Sequence, residues 1–160
     1  MKTLKTFSLC LVLLGLSQVA LAKEVATTAE LLKSDFCSEF KCEQTSIFTN
    51  ETGEKMITFL LKKENAGVEL LATVKGEGLQ NLTLKSNSHG AEISPTVLTG
   101  FFTSILGTKP DEAQVGKIFT SVRVKSRKDE FMQIEVIKLG PLSVRAGNVL
   151  KYQTVHTVFQ

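Results

Sequence analysis

Histidine and cysteine are the side chains that most often carry nucleophilic or acid–base chemistry near neutral pH. The chain has two histidines. His89 lies in a polar Ser-His-Gly loop, and His156 lies in the alternating C-terminal segment, with no serine-hydrolase or phosphate-binding motif around either. We interpret His89 as a solvated loop residue and His156 as a half-buried, hydrogen-bonded one. The sequence therefore predicts no catalytic residue and a protein that is not an enzyme.

Two of the three cysteines, Cys37 and Cys42, are separated by four residues. Residues five positions apart on one helix point about 140° away from each other, so a disulfide between them requires the helix to end before Cys42. A redox-active pair would instead have two intervening residues at a helix start. The spacing predicts a structural disulfide at the end of a helix.

Carboxylates are the remaining candidates for metal binding or hydrolysis. The 16 Asp and Glu residues show no calcium-loop spacing, so we predict neither a metal nor a cofactor. Two carboxylates at the right separation can cleave a glycosidic bond, but the sequence alone gives no such separation. A carboxylate-dependent hydrolase is therefore the third and weakest hypothesis.

A basic stripe is predicted where Arg123, Lys125 and Arg127 project from one side of an extended segment. Nucleic acid is excluded as its target. Lys2 and Lys5 belong to a leader, and without them the 19 basic residues fall to 17 against 16 acidic ones, with no Trp and one Tyr for stacking. The stripe is either a solvated strand face or a site for an acidic protein or an anionic envelope or extracellular partner.

The segment 95–106 has apolar residues over about 180° of a helical wheel, whereas one core-facing stripe needs about 100°. Either the sheet and a neighbouring helix cover the two sides, or Phe102 and Leu106 line an apolar groove. Such a groove would bind a lipid or another small apolar ligand.

The elements that position these residues are predicted from periodicity and caps. Thr27 and Glu30 have capping-box spacing before a helix over 28–37. Ser94, Pro95 and Gly107 delimit the helix 95–106, and a second helix follows Pro110. The predicted strands are 46–48, 56–61, 68–74, 79–84, 120–126, 131–139, 142–145 and 149–159, with a turn at 146–148.

This order predicts an α+β fold: an antiparallel sheet with two or three helices packed on one face. The two halves could be copies of one helix-plus-hairpins unit, although no residue-level repeat supports this.

The first 22 residues resemble a cleaved signal peptide. Lys2 and Lys5 precede the apolar run 9–16, and Ala20-Leu21-Ala22 forms a cleavage pattern. We expect a single globular domain over 23–160, exported to the periplasm or the extracellular space, with bacterial export favoured over eukaryotic secretion. The apolar run is too short to span a bilayer. Asn50 and Asn81 each begin a glycosylation sequon, which matters only in a eukaryotic secretory pathway.

These observations predict a small exported binding protein that acts through a surface on another macromolecule, as an inhibitor or an envelope accessory factor. The alternative from another class is a carrier of a lipid or other small apolar ligand between helix 95–106 and the sheet.

Overall fold

The computed structural model describes residues 26–63, 67–87, 91–123, 132–149 and 152–158. A helix pair precedes four strands, and a second helix pair precedes three strands. The elements are α1 (Thr28–Lys33), α2 (Asp35–Phe40), β1 (Cys42–Thr49), β2 (Lys55–Leu61), β3 (Val68–Lys75), β4 (Gly78–Ser86), α3 (Pro95–Leu106), α4 (Glu112–Arg123), β5 (Met132–Leu139), β6 (Leu142–Val149) and β7 (Tyr152–Val158).

The seven strands form one antiparallel sheet in the order β1-β2-β3-β4-β7-β6-β5. Consecutive strands pair as hairpins within two groups, β1 through β4 and β5 through β7. The pairing of β4 with β7 joins the two groups. β4 and β7 are the last strands of their groups and lie antiparallel to each other at the centre of the sheet. Counted outward from this centre, β3 occupies the same position in the first group as β6 in the second, and β2 the same position as β5. The predicted α+β fold is confirmed, and the two halves share the order helix pair then hairpins, with β1 as an additional edge strand.

The N-terminal helical segment is broken once, where one helix over 28–37 was predicted. Thr27 and Glu30 form the expected capping box at the start of α1. Ser34 then adopts an extended conformation (φ −65°, ψ 154°), ends α1, and caps α2 by accepting a hydrogen bond from the Cys37 N–H at 3.3 Å. A serine hydroxyl competes with helical hydrogen bonding in this way, and periodicity alone does not reveal it.

The disulfide joins Cys37 inside α2 to Cys42 at the start of β1. Helix α2 ends at Phe40, and Lys41 takes the left-handed conformation at φ 54°. This turn brings the Cα atoms of the two cysteines within 4.8 Å. The predicted disulfide and its position at a helix end are confirmed.

Alternating burial along the strands gives the sheet two different faces. Its inner face packs with the helices into one core, in which Leu31, Phe59, Leu82, Phe101 and Val144 are at most 2% exposed. Helix α3 reaches α2 through Phe36 and Phe101, whose ring centroids are 5.8 Å apart, and α4 packs on β5, β6 and β7. We call the opposite side of the sheet the outer face.

Two strand predictions in the second half are wrong. Residues 120–123 of the predicted strand 120–126 form the last turn of α4, because Val115, Ile118 and Val122 recur at helical spacing and are buried together. Residues 124–126 lie outside the described residues. The predicted turn 146–148 is part of β6, where the amide of Asn148 donates to the Val122 carbonyl at 2.7 Å. A tertiary hydrogen bond here outweighs the turn preference of Asn.

Replacing both cysteines by alanine (C37A/C42A) should lower the free energy of unfolding by about 2 kcal/mol, because the closed loop of six residues restricts the unfolded chain only modestly. Urea denaturation of the oxidised protein and the double variant measures the difference. A loss above about 5 kcal/mol, or no loss, would contradict this account.

Two helical glycines provide a test of the α2–α3 contact. A Cβ atom on Gly100 of α3 would lie 3.0 Å from Cε2 of the buried Phe40 ring, whereas one on Gly116 of α4 meets nothing within 4 Å. Gly116→Ala should raise the free energy of unfolding by up to about 1 kcal/mol through helix propensity. Gly100→Ala has the same propensity gain but must displace Phe40, so we expect it to be less stable than Gly116→Ala by about 1 kcal/mol or more. Equal stability of the two variants in thermal denaturation would refute the close packing.

Candidate functional site: the outer face of the sheet

Strand register arranges the outer face in rows that cross all seven strands. One row contains Phe48, Met56, Thr73, Asn81, Val158, Ser143 and Lys138; the next contains Ser46, Thr58, Leu71, Thr83, His156, Arg145 and Val136; the third contains Glu43, Leu60, Glu69, Lys85, Thr154, Gly147 and Ile134. Apart from Gly147, these residues are half-buried or exposed. The outer face is thus a continuous surface that no helix of the described part of the chain covers.

Large apolar side chains are exposed at both ends of this face. On the first two strands Phe48 is 61% exposed and lies opposite Met56. At the other end Val136 on β5 is also 61% exposed, and Ile134 and Val158 are exposed nearby. These exposed apolar side chains form two groups at opposite ends of the sheet, and exposed apolar groups rimmed by polar residues are typical of protein interaction surfaces.

The middle row carries the only described histidine. His156 Nδ1 and the Thr83 hydroxyl are 2.7 Å apart across the β4–β7 pairing. Burial, and secondarily the positive charge of Arg145 on the adjacent strand, lower the pKa of His156 below its ordinary value of 6.5. His156 is therefore neutral at pH 7. Its contribution to stability is complete above the ordinary pKa and is lost as the pH falls through the lowered pKa of the folded state.

On the β1–β4 part of the outer face, two carboxylates each have a lysine beside them. Glu43 Oε2 lies 2.8 Å from Lys62 Nζ, and Glu69 lies directly opposite Lys85 in the register. The Lys85 ammonium is also 5.0 Å from the centre of the Tyr152 ring, within the range of a cation–π contact.

The predicted basic stripe is not a strand face at Arg123. Arg123 is the last residue of α4, where its guanidinium lies 5.2 Å from the Phe119 ring and 4.0 Å from Glu92. Lys125 and Arg127 lie outside the described residues, as does His89. The structure therefore places Arg123 at the end of a helix and describes no other residue of the predicted stripe.

The predicted apolar groove is also absent at its predicted place. Phe102 is 0% exposed and belongs to the core, with its ring centroid 5.2 Å from that of Phe101. Leu106 is half-buried near the β5–β6 turn at Gly140. The broad apolar surface of α3 is thus explained by core packing.

A groove of about 930 Å³ does lie on the helix side, but between other residues. Small and polar side chains of α3 border it together with the apolar Phe36, Val115 and Phe119. Its charged residues are Glu30, Lys33, Asp35, Glu39, Lys109 and Glu112. Glu30 accepts backbone hydrogen bonds in the α1 capping box, and a hydrogen bond and charge from Lys109 lower the pKa of Glu112. These two carboxylates therefore already have structural partners.

In the described ranges of the chain, no three or more His, Cys, Asp or Glu side chains are grouped as metal ligands. None of the helices there combines the length and the hydropathy needed to cross a bilayer.

Comparison with models of known protein families, with curated proteins and with solved structures finds no match to this chain.

Sequence reasoning missed Arg145, Val136 and Thr83 as members of one surface. Arg145 stands between the apolar Val144 and Ala146, which are both buried, so the alternation in the sequence could have predicted a strand with an outward-facing arginine. The neighbours of Arg145 depend on pairings with β5 and β7, which the sequence does not specify.

Replacing Arg145 by glutamine should raise the pKa of His156 toward 6.5 without reaching it, because burial is the larger cause of the lowered pKa and remains. An NMR titration of the His156 ring signals measures the change. Lys138→Gln removes another cation of the outer face and serves as the control with an unchanged His156 pKa. A His156 pKa unaffected by Arg145→Gln would contradict the assigned coupling.

Proposed function

We propose that this protein is a non-enzymatic binding protein that holds another protein against the outer face of its sheet. The observation that carries the proposal is a sheet face that none of the described helices covers. Exposed apolar side chains lie at both of its ends, Phe48 and Met56 at one and Ile134, Val136 and Val158 at the other.

The dimensions of the outer face support a protein partner rather than a small ligand. Seven strands spaced at about 4.8 Å and three rows of side chains cover roughly 700 Å², close to the ~800 Å² that each partner contributes to a standard protein–protein interface. A small molecule needs an enclosing pocket, whereas an exposed sheet face of this size suits another macromolecule.

The Thr83–His156 pair does not make catalysis the better proposal. A hydroxyl at hydrogen-bond distance from an imidazole is the geometry that nucleophile activation requires. However, both side chains lie in the middle of the outer face and neither borders the helix-side groove. The pair instead links β4 to β7, which supports a role in holding the binding surface together.

Matched aspartate variants test the proposal. Val136→Asp and Phe48→Asp each place a negative charge on the outer face. The control Leu32→Asp places the same charge on the helix side, at a leucine of α1 that is 44% exposed. We expect a protein that co-purifies with the wild type from its own host to be lost with either outer-face variant and kept with Leu32→Asp, because the introduced carboxylate replaces an apolar contact and must lose its hydration in the interface.

Native mass spectrometry of the purified complexes measures the bound mass, and circular dichroism melting verifies that all three variants are folded. Two results would contradict the proposal. One is a partner lost only with Leu32→Asp, which would place binding on the helix side. The other is a native mass of a few hundred daltons above the chain, which would favour a carried small ligand.

A further inference from the structure

The charges of the outer face are distributed unevenly, and this unevenness bears on the chemistry of a partner. In the β1–β4 part, Glu43 forms an ion pair with Lys62, and Glu69 lies opposite Lys85 in the strand register. Lys75 at the end of β3 is a further exposed cation of this part. In the β5–β6 part, the described outer-face charges are the cations Arg145 and Lys138. The nearby Glu135 points to the inner face, where it accepts a hydrogen bond from the Ser121 hydroxyl.

Arg145 and Lys138 can act on one anion. Arg145 lies directly opposite Val136, and Lys138 is two residues further along β5 on the same face. Side chains in this diagonal relation have Cβ atoms about 7–8 Å apart, within reach of one carboxylate for two long cationic side chains. Neither cation has a carboxylate within ion-pair distance in the described part of the chain.

The neighbours of this cation pair are apolar residues of β5 and β7 and the uncharged His156 of β7. Val136 and Ile134 are exposed beside it, and Val158 lies opposite Ser143 in the row of Lys138. The adjacent His156 has a lowered pKa and carries no charge at pH 7. Apolar neighbours exclude water from a contact, and a guanidinium binds a carboxylate with two parallel hydrogen bonds. Arginine with apolar neighbours is typical of the residues that dominate binding energy in protein interfaces.

We propose that the protein held on the outer face presents an acidic segment, in which an Asp or Glu carboxylate pairs with Arg145 and Lys138 while apolar side chains next to it cover Val136 and Val158. This inference rests on the proposed function and specifies its partner by chemistry. Because Arg145 and Lys138 are cationic, the acidic segment would lie at the β5–β6 end of the outer face. The uncharged end at Phe48 and Met56 would contact apolar side chains of the partner.

Selection from a library of disulfide-constrained peptides on the purified protein tests the inference, with the selected peptides as probes. Peptides whose binding is abolished by Val136→Asp define the outer-face binders. We expect these binders to carry Asp or Glu next to an apolar residue. Their dissociation constants should rise about tenfold with Arg145→Gln and more with Arg145→Glu, because the peptide carboxylate is left unpaired.

The matched control is Lys117→Gln, which removes an exposed cation from α4 and should leave the affinity unchanged. Exchanging the peptide carboxylate for lysine should restore binding to Arg145→Glu. Outer-face binders without an acidic residue, or with affinities insensitive to Arg145→Gln, overturn the acidic partner and leave the proposed function standing. If every selected peptide binds Val136→Asp as well as the wild type, the outer face is not a binding surface, and the proposed function fails with the inference.

Discussion

The pairing of β4 with β7 is the interaction on which the rest of the structure depends, because it turns two groups of hairpins into one sheet. Side chains reinforce it on both faces. The Thr83 hydroxyl contacts His156 on the outer face, and on the inner face the Thr157 hydroxyl donates to the Leu82 carbonyl at 3.0 Å. Gln153 adds a connection to the segment before α3, because its side chain accepts a hydrogen bond from the Ile93 N–H at 2.7 Å. Without this pairing the outer face would be two narrow ribbons with no common row of side chains.

The same topology in the two halves leads to different surfaces. The first half has an additional edge strand, an exposed aromatic residue and paired charges. The second half ends at β5, with exposed β-branched residues and two cations without a described acidic neighbour. The inner face shows no such divergence, because both halves contribute to one apolar core. The two halves therefore share a framework but present different outer side chains.

Local signals predicted the elements well where the chain itself supplies the determinants. Ser94, Pro95 and Gly107 delimit α3 at its observed bounds, and the cysteine spacing indicates the end of α2. The errors arose where distant contacts decide the structure, as at Asn148, whose partner in α4 keeps β6 extended. The candidate surface was beyond prediction for the same reason. Arg145 and His156 are neighbours because β6 pairs with β7, and His156 meets Thr83, 73 residues earlier, because β7 pairs with β4. The periodicity of a sequence indicates which side chains of a strand lie on the same face, but not which strand pairs beside it.

The position of Asn81 has a consequence for how the protein is produced. Its sequon lies on β4 in the centre of the outer face, between Thr73 and Val158, whereas Asn50 lies in the β1–β2 turn, where its side chain accepts a hydrogen bond from the Glu54 N–H at 2.9 Å. An oligosaccharide linked to Asn81 is bulky and hydrated, and it would stand over the rows of side chains on both sides of β4. Carbohydrate at this position and a partner on the same face exclude each other sterically. A chain glycosylated at Asn81 would therefore present a shielded sheet, and an unglycosylated chain a bare one.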